Sequence, residues 1–168
     1  MNKQKGFSLI ELLIVVVVIG VIAAIAIPNL LASRRSANEG SAISSLRTIH
    51  SAQMSYATTY GGGAYAGNMS GGNGLPTLAG VNLVDGNLGS TRKDGYLFAT
   101  YAIAPTSTVP ATFIVGGAPI TTSGVAQTGV RSFLAATDGV IYADVIGGTM
   151  DWTRSPTIVV TGGTQIGN

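Results

Sequence analysis

Gly6-Phe7-Ser8-Leu9-Ile10-Glu11-Leu12-Leu13-Ile14-Val15-Val16-Val17-Val18-Ile19-Gly20-Val21-Ile22-Ala23-Ala24-Ile25-Ala26-Ile27-Pro28 is an apolar run interrupted by one charge, Glu11. From Phe7 to Ile27 it holds about 21 residues; at ~1.5 Å per residue a helix of that length spans roughly 30 Å, the thickness of a bilayer's hydrocarbon core. Such a helix satisfies its own backbone in lipid. A buried carboxylate does not satisfy itself, and an ionised side chain deep in the membrane costs on the order of 2.5 to 3.5 kcal/mol. Glu11 therefore implies a cationic partner. An ordinary secretory signal is the rival reading, with Ala24-Ile25-Ala26 as the cleavage site, but signal cores are usually about 7 to 15 residues long and lack such an acid.

The stretch Lys5-Gly6-Phe7-Ser8-Leu9-Ile10-Glu11 closely resembles the prepilin cleavage and methylation motif of type IV pilins and type II secretion pseudopilins. The resemblance is specific over about the first 30 residues and general beyond. It implies a leader over residues 1–6, cleavage after Gly6 by prepilin peptidase, N-methylation of Phe7, and an assembly role for Glu11 and Pro28. It also implies a cytoplasmic leader. Charge counting cannot supply that orientation, since Lys3 and Lys5 on one flank are matched by Arg34 and Arg35 on the other. Independently of the family, a cut after Gly6 would leave a cationic amine four residues before Glu11, so staggered neighbouring helices could neutralise one another. Leaving one member of such a desolvated pair alone costs on the order of 3 to 5 kcal/mol.

Composition fits a self-packing exported domain. Of 168 residues only 10% are charged, 46% are hydrophobic and 24 are Gly. The formal charge of +2 falls to about zero when Lys3 and Lys5 are removed, so the basic balance gives no reason to expect a nucleic-acid partner. With no Cys there is no disulfide or thiolate site. His50 is the sole histidine, which excludes a His-based metal or catalytic cluster and leaves it as an expected helix-surface residue. Asp138, Asp144 and Asp151 are weak Ca²⁺ candidates because Ca²⁺ favours oxygen ligands; turn chemistry is the competing reading of Asp138 in Asp138-Gly139. No nucleophile–base set, paired catalytic carboxylates or phosphate loop appears. The chain reads as a non-enzyme with no cofactor.

Beyond Pro28, which should kink or locally melt the helix, residues 29–60 resume as an amphipathic helix. Ile43, Leu46, Ile49, Gln53, Tyr56 and Tyr60 recur every three or four positions to face a sheet. Asn38, Glu39 and Ser41 fall with Arg34 and Arg35 where the helix leaves the membrane. The Gly-rich segment 61–74 ends the helix and forms a loop; Asn68-Met69-Ser70 in it matches a glycosylation triplet, a weak signal. Strand patterns follow at 96–103, 111–115, 130–136 and 140–145, the last two joined by a Thr137-Asp138-Gly139 hairpin, with a possible edge strand at 157–161 and a loose Gly-rich tail. Most of the six tyrosines are assigned to core packing.

The expected fold is α+β and pilin-like: a long N-terminal helix, its first half (7–28) transmembrane and its second (29–60) packed on an antiparallel sheet of about four strands within 61–168. The resemblance implies a structural subunit of a type IV pilus or pilus-like filament. It would be held in the inner membrane with its C-terminal domain outside the cytoplasm, then polymerised through its apolar helix into an extracellular or periplasmic filament. Prepilin peptidase, an assembly ATPase and an inner-membrane platform are the implied partners. A pseudopilin of a type II secretion system remains open, as does, from another class, an anchored surface-binding or adhesion domain.

Overall fold

The computed structural model describes residues 6–68, 72–145, 151–153, 159–161 and 164–166. Helix α1 runs Leu9–Thr59, short helices α2 and α3 follow at Leu75–Gly80 and Gly86–Gly89, and the strands are β1 Arg92–Lys93, β2 Tyr96–Ile103, β3 Thr112–Pro119, β4 Arg131–Ala136, β5 Ile141–Val145, β6 Asp151–Thr153, β7 Val159–Thr161 and β8 Thr164–Ile166. The architecture is α+β, as the sequence pattern implies. The chain divides into two compact units, residues 1–34 and 35–168.

In the second unit the sheet is an antiparallel array in the order β1-β2-β3-β4-β5-β8, so it has six strands where about four were expected. The two additional strands lie at the edges and are too short to show alternation. At one edge, Arg92 and Lys93 pair with Leu97 and Tyr96. At the other, Thr164–Ile166 pairs with β5, placing part of the tail expected to be loose in the sheet. The Val159–Thr161 strand belongs to a separate ribbon with β6 and is not an edge of the main sheet. The Asp138-Gly139 hairpin forms as expected: Gly139 takes a positive φ of 78° and Asp138 Oδ1 accepts a hydrogen bond from the Val140 N–H at 3.0 Å.

Alternation along β2 sends Tyr96, Phe98, Thr100 and Ala102 inward, where they meet Leu46, Ile49 and Ala52 of α1 together with Phe113, Val115 and Phe133. The packing face of α1 differs in detail from the sequence reading. Leu46, Ile49 and Gln53 are fully buried, but Tyr60 lies out in solvent and the small residues Ala42, Ser45, Ala52 and Ala57 make up much of the buried stripe. Small side chains let the helix approach closely. At Gly117 an added Cβ would press on the Phe98 ring at 2.9 Å and come within 3.3 Å of a Leu46 methyl.

Two buried polar networks fix the helix in place. Gln53 donates to Ala66 O (2.9 Å) and Thr100 Oγ1 (2.8 Å) and accepts from the Ala66 N–H (2.8 Å), so one amide ties helix, loop and sheet. Glu39, read from the sequence only as lying where the helix leaves the membrane, is buried: Oε1 accepts from the Val130 and Arg131 N–H groups, and Oε2 from Arg131 Nε (2.9 Å) and Nη2 (2.8 Å). His50 is likewise half-buried. Its ring lies 5.2 Å from that of Phe113, and Nε2 is 3.3 Å from Thr137 O, because the β4–β5 turn closes over that part of α1.

Removing the Glu39 carboxylate strands two backbone donors and unpairs Arg131. Glu39→Ala should destabilise by about 3 kcal/mol and lower the melting temperature of the detergent-solubilised chain on the order of 10 °C, measured by the loss of β signal in circular dichroism. Tyr96 gives a pH signature. Burial, reinforced by the negative charge of Glu39 and opposed by Arg131, raises its phenol pKa far above the ordinary value, and its Oη donates to Arg131 O at 2.8 Å. The folded state thus holds this proton more tightly than the unfolded chain. The contribution is complete below about pH 10 and is lost as pH rises above it, with a slope approaching 1.4 kcal/mol per pH unit. Denaturant titrations at alkaline pH should show that slope, and Tyr96→Phe should reduce it by one proton's worth.

Candidate functional site

The first unit is the candidate site, an exposed apolar helix segment. The best 18-residue window of α1 has a mean hydropathy of 3.2, long and apolar enough to cross a membrane, and none of that window is buried within the protein. Phe7 is 83% exposed, and Leu9, Val16, Ile22, Ile25 and Leu30 are exposed as well. Soluble monomers rarely show continuous apolar surface beyond a few hundred Å², so this segment is built for a non-aqueous surrounding. Its apolar residues encircle the helix rather than forming a stripe, which suits lipid or a ring of similar helices. Gly20 is helical and has open space around it, leaving a low point in the side-chain surface where a neighbouring backbone could approach.

Glu11 occupies the first turn, and its Oε2 accepts a hydrogen bond from the Ser8 backbone N–H at 2.9 Å. This is the glutamate half of a capping box. Ser8 immediately precedes the first helical residue, and the acid three positions later reaches back to satisfy a donor that the helix leaves free. The sequence reading assigned Glu11 a partner in another chain and missed this one within its own. The signal was present as Ser8-x-x-Glu11. A negative charge here also complements the positive end of the helix dipole.

Pro28 lies inside α1 and the helix continues through it, so the unwound turn offered as one outcome is absent. Pro28 leaves the Ala24 carbonyl without its usual donor. One position on, Asn29 Nδ2 donates to Ile25 O at 3.2 Å, a side-chain bond to the carbonyl next along the helix. Gly6 lies in open space, with nothing within 4 Å of where a Cβ would be.

The calcium candidates are not brought together by anything described. Asp138 is occupied in its turn, Asp144 lies on β5 opposite Ser132, and the side chain of Asp151 lies outside the described residues. Among the described residues no group of three His, Cys, Asp or Glu could hold a metal ion. In the glycosylation triplet, Met69 and Ser70 also lie outside the described residues.

Residues 1–27 match the family model described as the prokaryotic N-terminal methylation motif. Over 39 residues, 23% of this chain, the sequence is 59% identical to the type IV wide pilus major component PilA4 of Thermus thermophilus, covering 30% of that protein. It is 43% identical over 54 residues to the type IV major pilin protein PilA of Myxococcus xanthus, 32% of this chain and 24% of that one. Over 55 residues it is 36% identical to the type II secretion system core protein G of Escherichia coli, 33% of this chain and 38% of the relative. The chain thus spans well under half the length of these relatives. No solved structure matches.

The capping bond separates two properties of Glu11, since an amide can accept from Ser8 but carries no charge. In detergent micelles Glu11→Ala should speed exchange of the Ser8 amide about fivefold, as expected for a cap worth ~1 kcal/mol. Glu11→Gln should stay near wild type. Amide exchange followed by NMR reads both.

Proposed function

We propose that this protein is a structural subunit of a type IV pilus, anchored in the inner membrane through residues 7–28 and polymerised through the same segment. The observation that carries the reading is the exposed apolar helix with one carboxylate at Glu11, set behind Gly6-Phe7 within the matched methylation motif. In this reading residues 1–6 are a cytoplasmic leader, prepilin peptidase cuts after Gly6 and methylates Phe7, and residues 35–168 stand outside the cytoplasm. An assembly ATPase and a membrane platform supply the work of extraction, for which the chain presents no recognisable motor motif. Identities of 59% and 43% to pilus components, against 36% to the secretion protein, favour a pilus over a secretion pseudopilus.

Within the filament the freed amine of Phe7 takes Glu11 of a neighbouring subunit as its counter-charge. The Ser8 bond holds that carboxylate at the helix end, near the level of its own amine, so the same group shapes the first turn and offers a charge outward. Pro28 removes one backbone bond at this level of the helix, where it can bend to fit the packed core.

The test combines shearing, electron microscopy and intact mass. Wild-type cells should yield filaments whose subunit begins at methylated Phe7. Gly6→Leu should retain the leader and remain in the membrane fraction; its side chain meets no steric obstacle in the fold, so failure would report peptidase recognition. Glu11→Ala and Glu11→Gln should both be cleaved yet give few filaments, because neither supplies charge. Wild-type filament yield from Glu11→Gln would leave Glu11 with capping alone. Correctly processed protein, with filaments absent and secretion lost on deletion, would assign it to a secretion pseudopilus instead.

A further inference from the structure

Among the described residues of the second unit, Arg47 is an exposed cation whose side chain has no ion pair or hydrogen bond, and the Ser51 hydroxyl one turn on is uncommitted too. At spacings of three and four on α1, Arg47, His50 and Ser51 share one face of the helix. They border a cleft of about 280 Å³, open on one side, between α1 and the β4–β5 hairpin. Leu46, Ala135 and Ile141 complete it and belong to the buried core, so part of its lining is apolar. The His50 ring is held by its contact with the Phe113 ring and by Nε2 against Thr137 O. At Gly139 a Cβ would lie 3.5 Å from His50 Cε1, so a larger residue there would take up cleft space. Asp138, next to Gly139, is exposed in the turn and brings a negative charge to that rim, with its Oδ1 accepting from the Val140 N–H.

We propose that this cleft binds a small organic monoanion, a carboxylate on a compact apolar body. Arg47 and Ser51 hold the carboxylate, and Leu46, Ala135 and Ile141 take the body. A guanidinium with no partner in the fold is a ready donor pair for a planar carboxylate, and a hydroxyl one turn along the same face adds a third donor. The volume falls just below the range of drug-sized ligand sites, which limits the occupant to a small molecule. Charge balance sets its valence: one uncommitted cation faces the exposed carboxylate of Asp138 across the mouth of the turn, so a doubly charged phosphate would be left partly unneutralised. Phosphate would also leave the apolar lining wet, whereas an alkyl body covers it. Every residue invoked lies within residues 35–168, so the inference is independent of how the first unit is anchored.

His50 is the sole histidine, so its ring C–H signals identify themselves in the NMR spectrum of the full chain in detergent micelles. Isovalerate joins a carboxylate to an isobutyl body; isovaleramide keeps the body without the charge, and acetate keeps the charge with almost no body. Isovalerate should shift the His50 ring and Ile141 methyl signals saturably, at a concentration about tenfold below that needed by either of the other two. Arg47→Gln, an exposed change between good helix formers, should leave the circular dichroism unchanged and raise the isovalerate requirement about tenfold. Shifts that grow without saturating, that are equal for the three probes, or that are the same in Arg47→Gln would each overturn the proposal. So would inorganic phosphate acting at as low a concentration as isovalerate. Arg47 and Ser51 also border a neighbouring hollow with Ser55 and Leu83, so a saturable shift of the Leu83 methyls that spares Ile141 would move the anion there and overturn the assignment.

Discussion

The globular unit depends on one buried carboxylate. Glu39 lies more than ninety residues before the groups it binds, and through two backbone N–H groups and one guanidinium it fixes where α1 meets the start of β4. Taking that charge out of water costs several kcal/mol, which its four donors offset. A hydrophobic residue of similar volume could contribute as much stability. It could not specify the register of helix against strand, because apolar contacts tolerate sliding where a carboxylate facing fixed donors does not. The phenol of Tyr96 and the close approach of Gly129 to it depend on the same corner.

The N-terminal segment shows the opposite design. It has no apolar core of its own, and the described contacts that shape it are the helical backbone, the Ser8–Glu11 bond and the Asn29 bond to Ile25 O. A segment with so little internal specification can serve in two surroundings, lipid and a bundle of copies, without refolding. The globular unit carries its specificity inside, and the N-terminal segment leaves its specificity to its neighbours.

This contrast explains which parts were legible in the sequence. The apolar run, the helix through residue 59, strands β2, β4 and β5 and the Asp138-Gly139 turn were readable because each is set by local periodicity or by a backbone conformation that Gly supplies. The edge strands β1 and β8 were not, since two- and three-residue strands carry no period and form only because a neighbour offers a free edge. His50 was misplaced, and the burial of Glu39 went unread, for a related reason. A polar residue on an amphipathic helix reads as solvent-facing unless its partner is known, and the partners are Arg131 and the turn at Thr137, far along the chain. At the N-terminus the family resemblance drew attention to what Glu11 does between chains, and the capping signature written around it went unread.

The strand order has a kinetic consequence. Apart from the β8 edge, neighbours in the sheet are neighbours in sequence, so β1 to β5 can zip together by successive hairpins of short loop length, whereas docking α1 requires residues near 39 to find residues near 130. A chain synthesised from its N-terminus therefore presents the Ala42, Leu46 and Ile49 stripe long before the surface that will bury it exists. The earliest-emerging element is expected to settle last, and the hazard of aggregation falls in that interval rather than in the finished fold.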